Sequence, residues 1–131
     1  MEMADLLHPE SIMANLMVTS KKQALQEMAR RAAELTGHSE RQILDILLER
    51  ERLGTTSMGC GVAIPHGKLP HLDRLYGGFA RLCHVIDFES IDEQPVDLIF
   101  LLLAPKSAET NHLNLEALAH VSRILRNQGI C

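Results

Sequence analysis

Val96-Asp97-Leu98-Ile99-Phe100-Leu101-Leu102-Leu103 is the stretch whose reading decides the fold class. The run is apolar on successive residues rather than alternate ones and is interrupted only by Asp97, the pattern of a strand covered on both faces. Such a strand needs helices beside it, and the chain has them on either side. Upstream, Ser20 with Gln23 forms a capping-box pattern, Leu25, Met28, Ala32 and Leu35 follow at helical spacing, and Gly37 stands at the expected stop. Ser39 with Gln42 repeats this grammar through Ile43, Leu44, Leu47 and Leu48, and Leu53 and Gly54 close the second helix. Downstream, Leu113, Ala117, Val121 and Ile124, with Leu118 and Leu125 beside them, describe a third helix ending at Asn127 and Gly129. Shorter strands are predicted over residues 12–18, 62–64 and 76–82, with Gly77 and Gly78 permitting close backbone approach in the last. Helices interleaved with a few strands imply an α/β layer fold, a small mixed β-sheet flanked by α-helices.

The bulk numbers narrow the function. A chain of 131 residues, 46% of them apolar, buries one core, so a single domain is expected over residues 1–131. The longest apolar run, residues 98–105, is far below the ~18 residues that cross a bilayer, and the first twenty residues lack a basic start and a cleavage site. A soluble, cytoplasmic protein without membrane insertion is expected. The formal charge of −4, the absence of a Lys and Arg cluster and an aromatic content of 3% argue against a nucleic acid partner. Cys60, Cys83 and Cys131 are widely spaced with no C-x-x-C pair, so they read as reduced thiols rather than as a disulfide framework or thiolate zinc site. Cys60 is near His66 in sequence, a setting for reactivity, yet a buried inert thiol is the commoner reading.

Seven histidines invite a metal or catalytic reading. His8, His38 and His71 sit beside Pro or Ser in apparent surface turns, His84 falls at a strand end without an evident partner, and His120 lies near the apolar stripe of the last helix. His66 differs. It follows a predicted strand directly and is fixed between Pro65, which restricts the backbone before it, and Gly67, which leaves space in front of the ring. A neutral imidazole is nucleophilic at cytoplasmic pH, and its phosphoramidate can pass the group onward, which suits histidine to a phosphoryl relay. Such transfer needs an in-line nucleophile and positive or hydrogen-bonding groups around the moving oxygens. Arg50, the hydroxyls of Thr55, Thr56 and Ser57, backbone amides after His66, and His112 at the start of the last helix are the candidates. From spacing alone, other readings stand. His66 also reads as a turn histidine, Arg50 as a helix-end arginine complementing the dipole, and His112 as a helix-start residue with a local role.

A metal-dependent hydrolase with His66, His71 and His112 as ligands fits the histidine count. However, the chain contains no H-E-x-x-H, no Walker A loop, no G-x-S-x-G elbow and no complete G-x-G-x-x-G. No metal and no cofactor are expected.

Two longer stretches carry a family resemblance. Arg50-Glu51-Arg52-Leu53-Gly54-Thr55-Thr56, followed by Gly59-Cys60-Gly61-Val62-Ala63-Ile64-Pro65-His66-Gly67-Lys68, resembles the active-site signature of the fructose, mannitol and nitrogen-regulatory type of enzyme IIA of the bacterial phosphotransferase system. The similarity continues through Ile91-Asp92-Glu93-Gln94-Pro95-Val96-Asp97-Leu98-Ile99-Phe100 and Asn111-His112-Leu113, and so covers nearly the whole chain. The resemblance implies that His66 is phosphorylated and that Arg50 and His112 stabilise the phosphoryl group. It also implies a histidine phosphocarrier similar to HPr, or its nitrogen-branch relative NPr, as donor, and regulatory target proteins as partners. Gly-Val-Ala-Ile-Pro-His-Gly-Lys is most similar to the nitrogen-regulatory branch, in which phosphorylation state is the signal. A sugar-specific IIA component and a binding module that has lost transfer are the neighbouring readings. Family members usually continue beyond the helix near His112, so a domain shortened at Cys131 is the expectation.

Overall fold

The computed structural model describes residues 9–59, 61–72 and 75–106. A 3-10 turn, Pro9–Ser11, leads into β1 (Ile12–Leu16), followed by α1 (Lys21–Thr36), α2 (Glu40–Arg52), β2 (Ser57–Gly59), β3 (Val62–Ala63), β4 (His66–Leu69), β5 (Tyr76–Ile86) and β6 (Val96–Pro105). The strands form one sheet in the order β1-β5-β6-β3-β2, with β4 also paired to β6. The sheet is mixed. β5 runs antiparallel to β6, whereas β3 and β4 run parallel to it and β1 parallel to β5.

β6 is the axis of this arrangement. On one edge Tyr76 to Arg81 of β5 face Leu103 to Leu98 in register. On the other, Val62 and Ala63 pair with Leu98 and Ile99, and after two residues His66 to Leu69 pair with Leu102 to Pro105. β3 and β4 are thus one edge partner broken at Ile64 and Pro65. Alternating β6 side chains serve opposite faces. Ile99, Leu101 and Leu103 join Ala24, Leu25, Met28, Ala29 and Ala32 of α1 and Ile43 and Leu47 of α2, all fully buried or nearly so. Phe100 and Leu102 form a second buried cluster with Val62 and Ile64. Two-sided burial is the reason the strand reads as an unbroken apolar run.

Both helices begin and end as the sequence predicts. The Ser20 hydroxyl accepts from the Gln23 amide at 3.1 Å, and the amide of Gly37, at φ 78°, donates to Ala33 O at 2.9 Å. The return bond of the capping box is displaced by one residue. Gln23 Oε1 accepts from the Thr19 amide at 2.7 Å rather than from Ser20. Ser39 caps α2 in the same way through the Gln42 amide at 3.3 Å.

The strands depart further from expectation. β1 ends at Leu16, β5 continues to Ile86, and β2 and β4 are additions. His66-Gly67-Lys68-Leu69 has little intrinsic strand character, and its extended form comes from pairing with β6, a tertiary effect that propensity does not register. The predicted helix over residues 113–125 lies outside the described residues. No helix among the described residues is long and apolar enough to cross a membrane.

Tyr76, the single tyrosine, is 8% exposed, and its ring lies over Gly78, where an added Cβ would meet the phenolic oxygen at 3.3 Å. Burial raises its hydroxyl from an ordinary 10.0 to about 12, with the nearby Arg31 charge acting in the opposite sense. The folded state therefore holds this proton more tightly than the unfolded chain. The resulting stability is complete below pH 10 and is lost as pH rises toward 12. Alkaline titration followed by phenolate absorbance should give one transition near pH 12, accompanied by unfolding; titration at the free-tyrosine value with the fold intact would contradict the burial assigned here.

Candidate functional site

The site forms where the last turn of α2 meets the break between β3 and β4. Helix α2 closes with the Leu53 and Gly54 amides donating to Arg50 O and Glu51 O, each at 3.2 Å. The chain turns at Gly54 and returns toward β6. Ile64 N donates to Thr56 O at 3.0 Å, and Leu102 N donates to Pro65 O at 3.0 Å, so the break is held on both sides. His66, half-buried, opens β4 from this break.

The ring nitrogens of His66 have different partners. Nδ1 lies 2.9 Å from Ile64 O, and Nε2 lies 3.4 Å from Nε of Arg50. A carbonyl can only accept and a guanidinium can only donate, so Nδ1 carries the proton and Nε2 presents a lone pair. Arg50 is held in turn by its Nη1, which donates to Gly54 O at 2.9 Å. One guanidinium thus spans the loop backbone and the imidazole, with donors left to receive an anion. The result is a fixed tautomer, with a nucleophilic nitrogen beside a permanent positive charge.

Two of the three hydroxyls expected to converge on His66, those of Thr55 and Ser57, are engaged elsewhere. Thr55 Oγ1 donates to Phe88 O at 2.7 Å and accepts from the Ser57 amide at 3.1 Å. Ser57 Oγ is paired with Ser90 Oγ at 2.7 Å. These bonds tie the 55–57 segment to the 88–90 loop. Thr56 Oγ1 is buried with no hydrogen-bond partner among the described residues. Asp97 N and Leu98 N also secure the antiparallel hairpin of β2 and β3, both donating to Gly61 O at 3.1 Å. At Gly61, φ is 85° and an added Cβ would fall 3.2 Å from Asp97 Oδ1, so glycine is required there.

Of the sequence candidates, Arg50 and His66 are brought together. His112 lies outside the described residues, as do His8, His120, Cys60 and Cys131. His71 is exposed in the turn after β4, separated from His66 by the strand length, roughly 10 Å or more at ~3.3 Å per residue. His84 and Cys83 are exposed on β5, and His38 lies between the helices. No group of three or more His, Cys, Asp or Glu that could hold a metal occurs among the described residues. Glu51 escaped the sequence reading although a signal existed: Ile43, Leu47 and Glu51 follow at i, i+4 spacing, so this acid continues a buried stripe. Its Oε1 accepts from the Thr56 amide at 3.1 Å.

Residues 5–131 match the family described as phosphoenolpyruvate-dependent sugar phosphotransferase system, EIIA 2. The chain belongs to this EIIA type 2 family. It is 60% identical over 130 residues to a nitrogen regulatory protein of Bradyrhizobium diazoefficiens, an alignment covering 99% of this chain and 84% of that one. Among solved structures, nitrogen regulatory protein IIA-Ntr of Neisseria meningitidis superposes with a TM-score of 0.79 at 34% identity, covering 86% of this chain and 77% of that one. Escherichia coli IIA mannitol, at 18% identity and a TM-score of 0.72 over 92% of this chain and 83% of its own, shares the fold. The likeness to the nitrogen-regulatory branch read from Gly-Val-Ala-Ile-Pro-His-Gly-Lys is borne out by these identities.

Gly67 has a part that its position did not suggest: it admits helix α2, since an added Cβ would lie 2.5 Å from Ile46 Cγ2. Gly67→Ala should therefore lower stability by about 1–3 kcal/mol, and Ile46→Ala in the same chain should recover part of the loss. Urea midpoints measure both effects; an unchanged midpoint for Gly67→Ala would refute the close approach of α2 to β4.

Proposed function

We propose that this EIIA type 2 protein is a phosphohistidine carrier and regulator of the phosphoenolpyruvate-dependent phosphotransferase system, with His66 Nε2 as acceptor. The observation that carries the reading is the pair of contacts on the imidazole, Nδ1 to Ile64 O at 2.9 Å and Nε2 to Arg50 at 3.4 Å. The Nε2 lone pair attacks the phosphorus of a phosphohistidine on a carrier similar to HPr or NPr. A new P–N bond forms, the donor's P–N bond breaks, and its electron pair returns to the donor imidazole. The proton stays on His66 Nδ1, which continues to donate to Ile64 O. The product ring is then positively charged beside the phosphoryl oxygens, which keeps the P–N bond ready for onward transfer. Arg50, and His112 by family resemblance, stabilise the oxygens during the exchange.

The regulatory part of the proposal is supported by the 60% identity to a nitrogen regulatory protein. Phosphorylation adds a phosphoryl group of about −2 charge, offset in part by the protonated ring, at the half-buried His66, which changes the partner surface that is complementary to it. The cytoplasm, where the phosphocarrier would be met, is the proposed compartment.

Incubation with phosphoenolpyruvate, enzyme I and a phosphocarrier should give acid-labile phosphate on the wild type and none on His66→Ala. Arg50→Gln should slow acceptance by about 10²-fold, the usual consequence of removing a transition-state donor. A folded wild type that takes up no phosphate, or a labelled His66→Ala, would overturn the assignment.

A further inference from the structure

The contacts of Arg50 and His66 share one scaffold, residues 54–56. Gly54 O receives the Arg50 guanidinium at 2.9 Å. Thr56 O receives Ile64 N at 3.0 Å, and Ile64 O is the partner of His66 Nδ1 at 2.9 Å. A shift of this segment moves the nucleophile and its positive neighbour together. Its middle is fixed from outside the site. The Glu51 side chain, 5% exposed, accepts from the Thr56 amide at 3.1 Å and is paired with Lys21 Nζ at 2.9 Å. Lys21 belongs to the first turn of α1, far from His66 in sequence. Its ammonium also stands 4.9 Å from the centre of the Phe88 ring and 3.6 Å from Glu89 Oε1. Phe88 O in turn receives the Thr55 hydroxyl at 2.7 Å. Two bonds, one through Glu51 and one through Phe88, therefore converge on adjacent residues of the same segment, with Lys21 touching both.

We infer that Glu51, paired with Lys21, is a positioning residue: it sets the tautomer of His66 and the register of Arg50 through the Thr56 amide. The chemistry favours such a role over simple stabilisation. A buried carboxylate contributes little net stability compared with an apolar residue, since desolvation offsets its pairing, and its other oxygen has no partner among the described residues. What it does supply is a directional, charge-assisted bond to one backbone amide. Without it, the segment's ties among the described residues are the Thr55 hydroxyl to Phe88 O, the helix-closing bond at Gly54, and the bonds to Arg50 and Ile64 whose positions are in question. Ile64 O then loses its fixed direction, and the proton on Nδ1 loses the acceptor that holds it there.

This inference rests on the proposed role of His66, but it can be read separately. In uniformly ¹⁵N-labelled protein, long-range proton–nitrogen correlation spectra report the ring tautomer of each histidine, and His66→Ala identifies the resonances of His66. The wild type should show Nδ1 protonated and Nε2 bare. Glu51→Gln and Lys21→Met should show the two tautomers mixed, and Lys21→Arg, which keeps the charge, should restore the wild-type spectrum. Phosphoryl acceptance by Glu51→Gln should fall about tenfold, since a small misplacement of reacting groups has costs of that order or more. If Glu51→Gln does not fold, Lys21→Met is read in its place. A folded variant with lowered thermal stability but the wild-type ring spectrum would assign Glu51 a structural role only and overturn the inference. Should the wild type itself accept no phosphate, the ring spectra still decide the positioning claim while the relay fails on its own test.

Discussion

The central constraint is the double burial of β6. A strand covered on both faces must have its backbone groups paired on both edges, because unpaired polar groups there would find no water. β5 satisfies one edge, in unbroken register from Tyr76 to Arg81 and again, after a register shift, at Ile86. The other is satisfied by β3 and then β4, and the two residues between them, Ile64 and Pro65, form the break from which His66 emerges. Pro65 has no amide hydrogen to offer, yet its carbonyl accepts from Leu102, so the break does not leave β6 unpaired. The side chain proposed as acceptor is thereby placed beside the buried central strand of the sheet while remaining half-exposed.

From this placement the chemistry follows by short steps. The carbonyl of Ile64 faces back toward the His66 ring and fixes one nitrogen as a donor. Helix α2 approaches β4 closely because Gly67 has no side chain, and that approach brings Arg50, in its last turn, to the other nitrogen. The same short segment after α2 carries the acceptor for Arg50 and the acceptor for Ile64. Rigidity at the acceptor is what phosphoryl transfer between two proteins requires, since the barrier is lowered chiefly by alignment and charge placement.

Much of this was legible in the sequence. The helices could be placed from Ser20, Gly37 and Ser39, because capping is local chemistry that one sequence window contains. β6 was legible from its unbroken apolar run, and Arg50 and His66 from the motif that holds them. β4 and β2 were not legible, as their extended backbone depends on β6 and on the hairpin at Gly59 and Gly61, far away in sequence or too short for periodicity. The hydroxyls of Thr55 and Ser57 illustrate a further limit. Their residue type suits anion binding, but only the folded chain shows that Phe88 O and Ser90 have already claimed them. Glu51 was missed because an acid on a helix is ordinarily read as a solvated face, although its spacing from Leu47 placed it inward.

The proposed relay requires that Nε2 of His66 be the atom that takes the phosphoryl group. The most direct measurement is the ¹⁵N spectrum of the histidine-labelled phosphoprotein, with phosphorus coupling used to identify the modified nitrogen. Coupling to Nε2 of His66, with the proton retained on Nδ1, is the result expected from the contacts with Arg50 and Ile64. Phosphate on Nδ1 of His66, or on any other histidine, would contradict it.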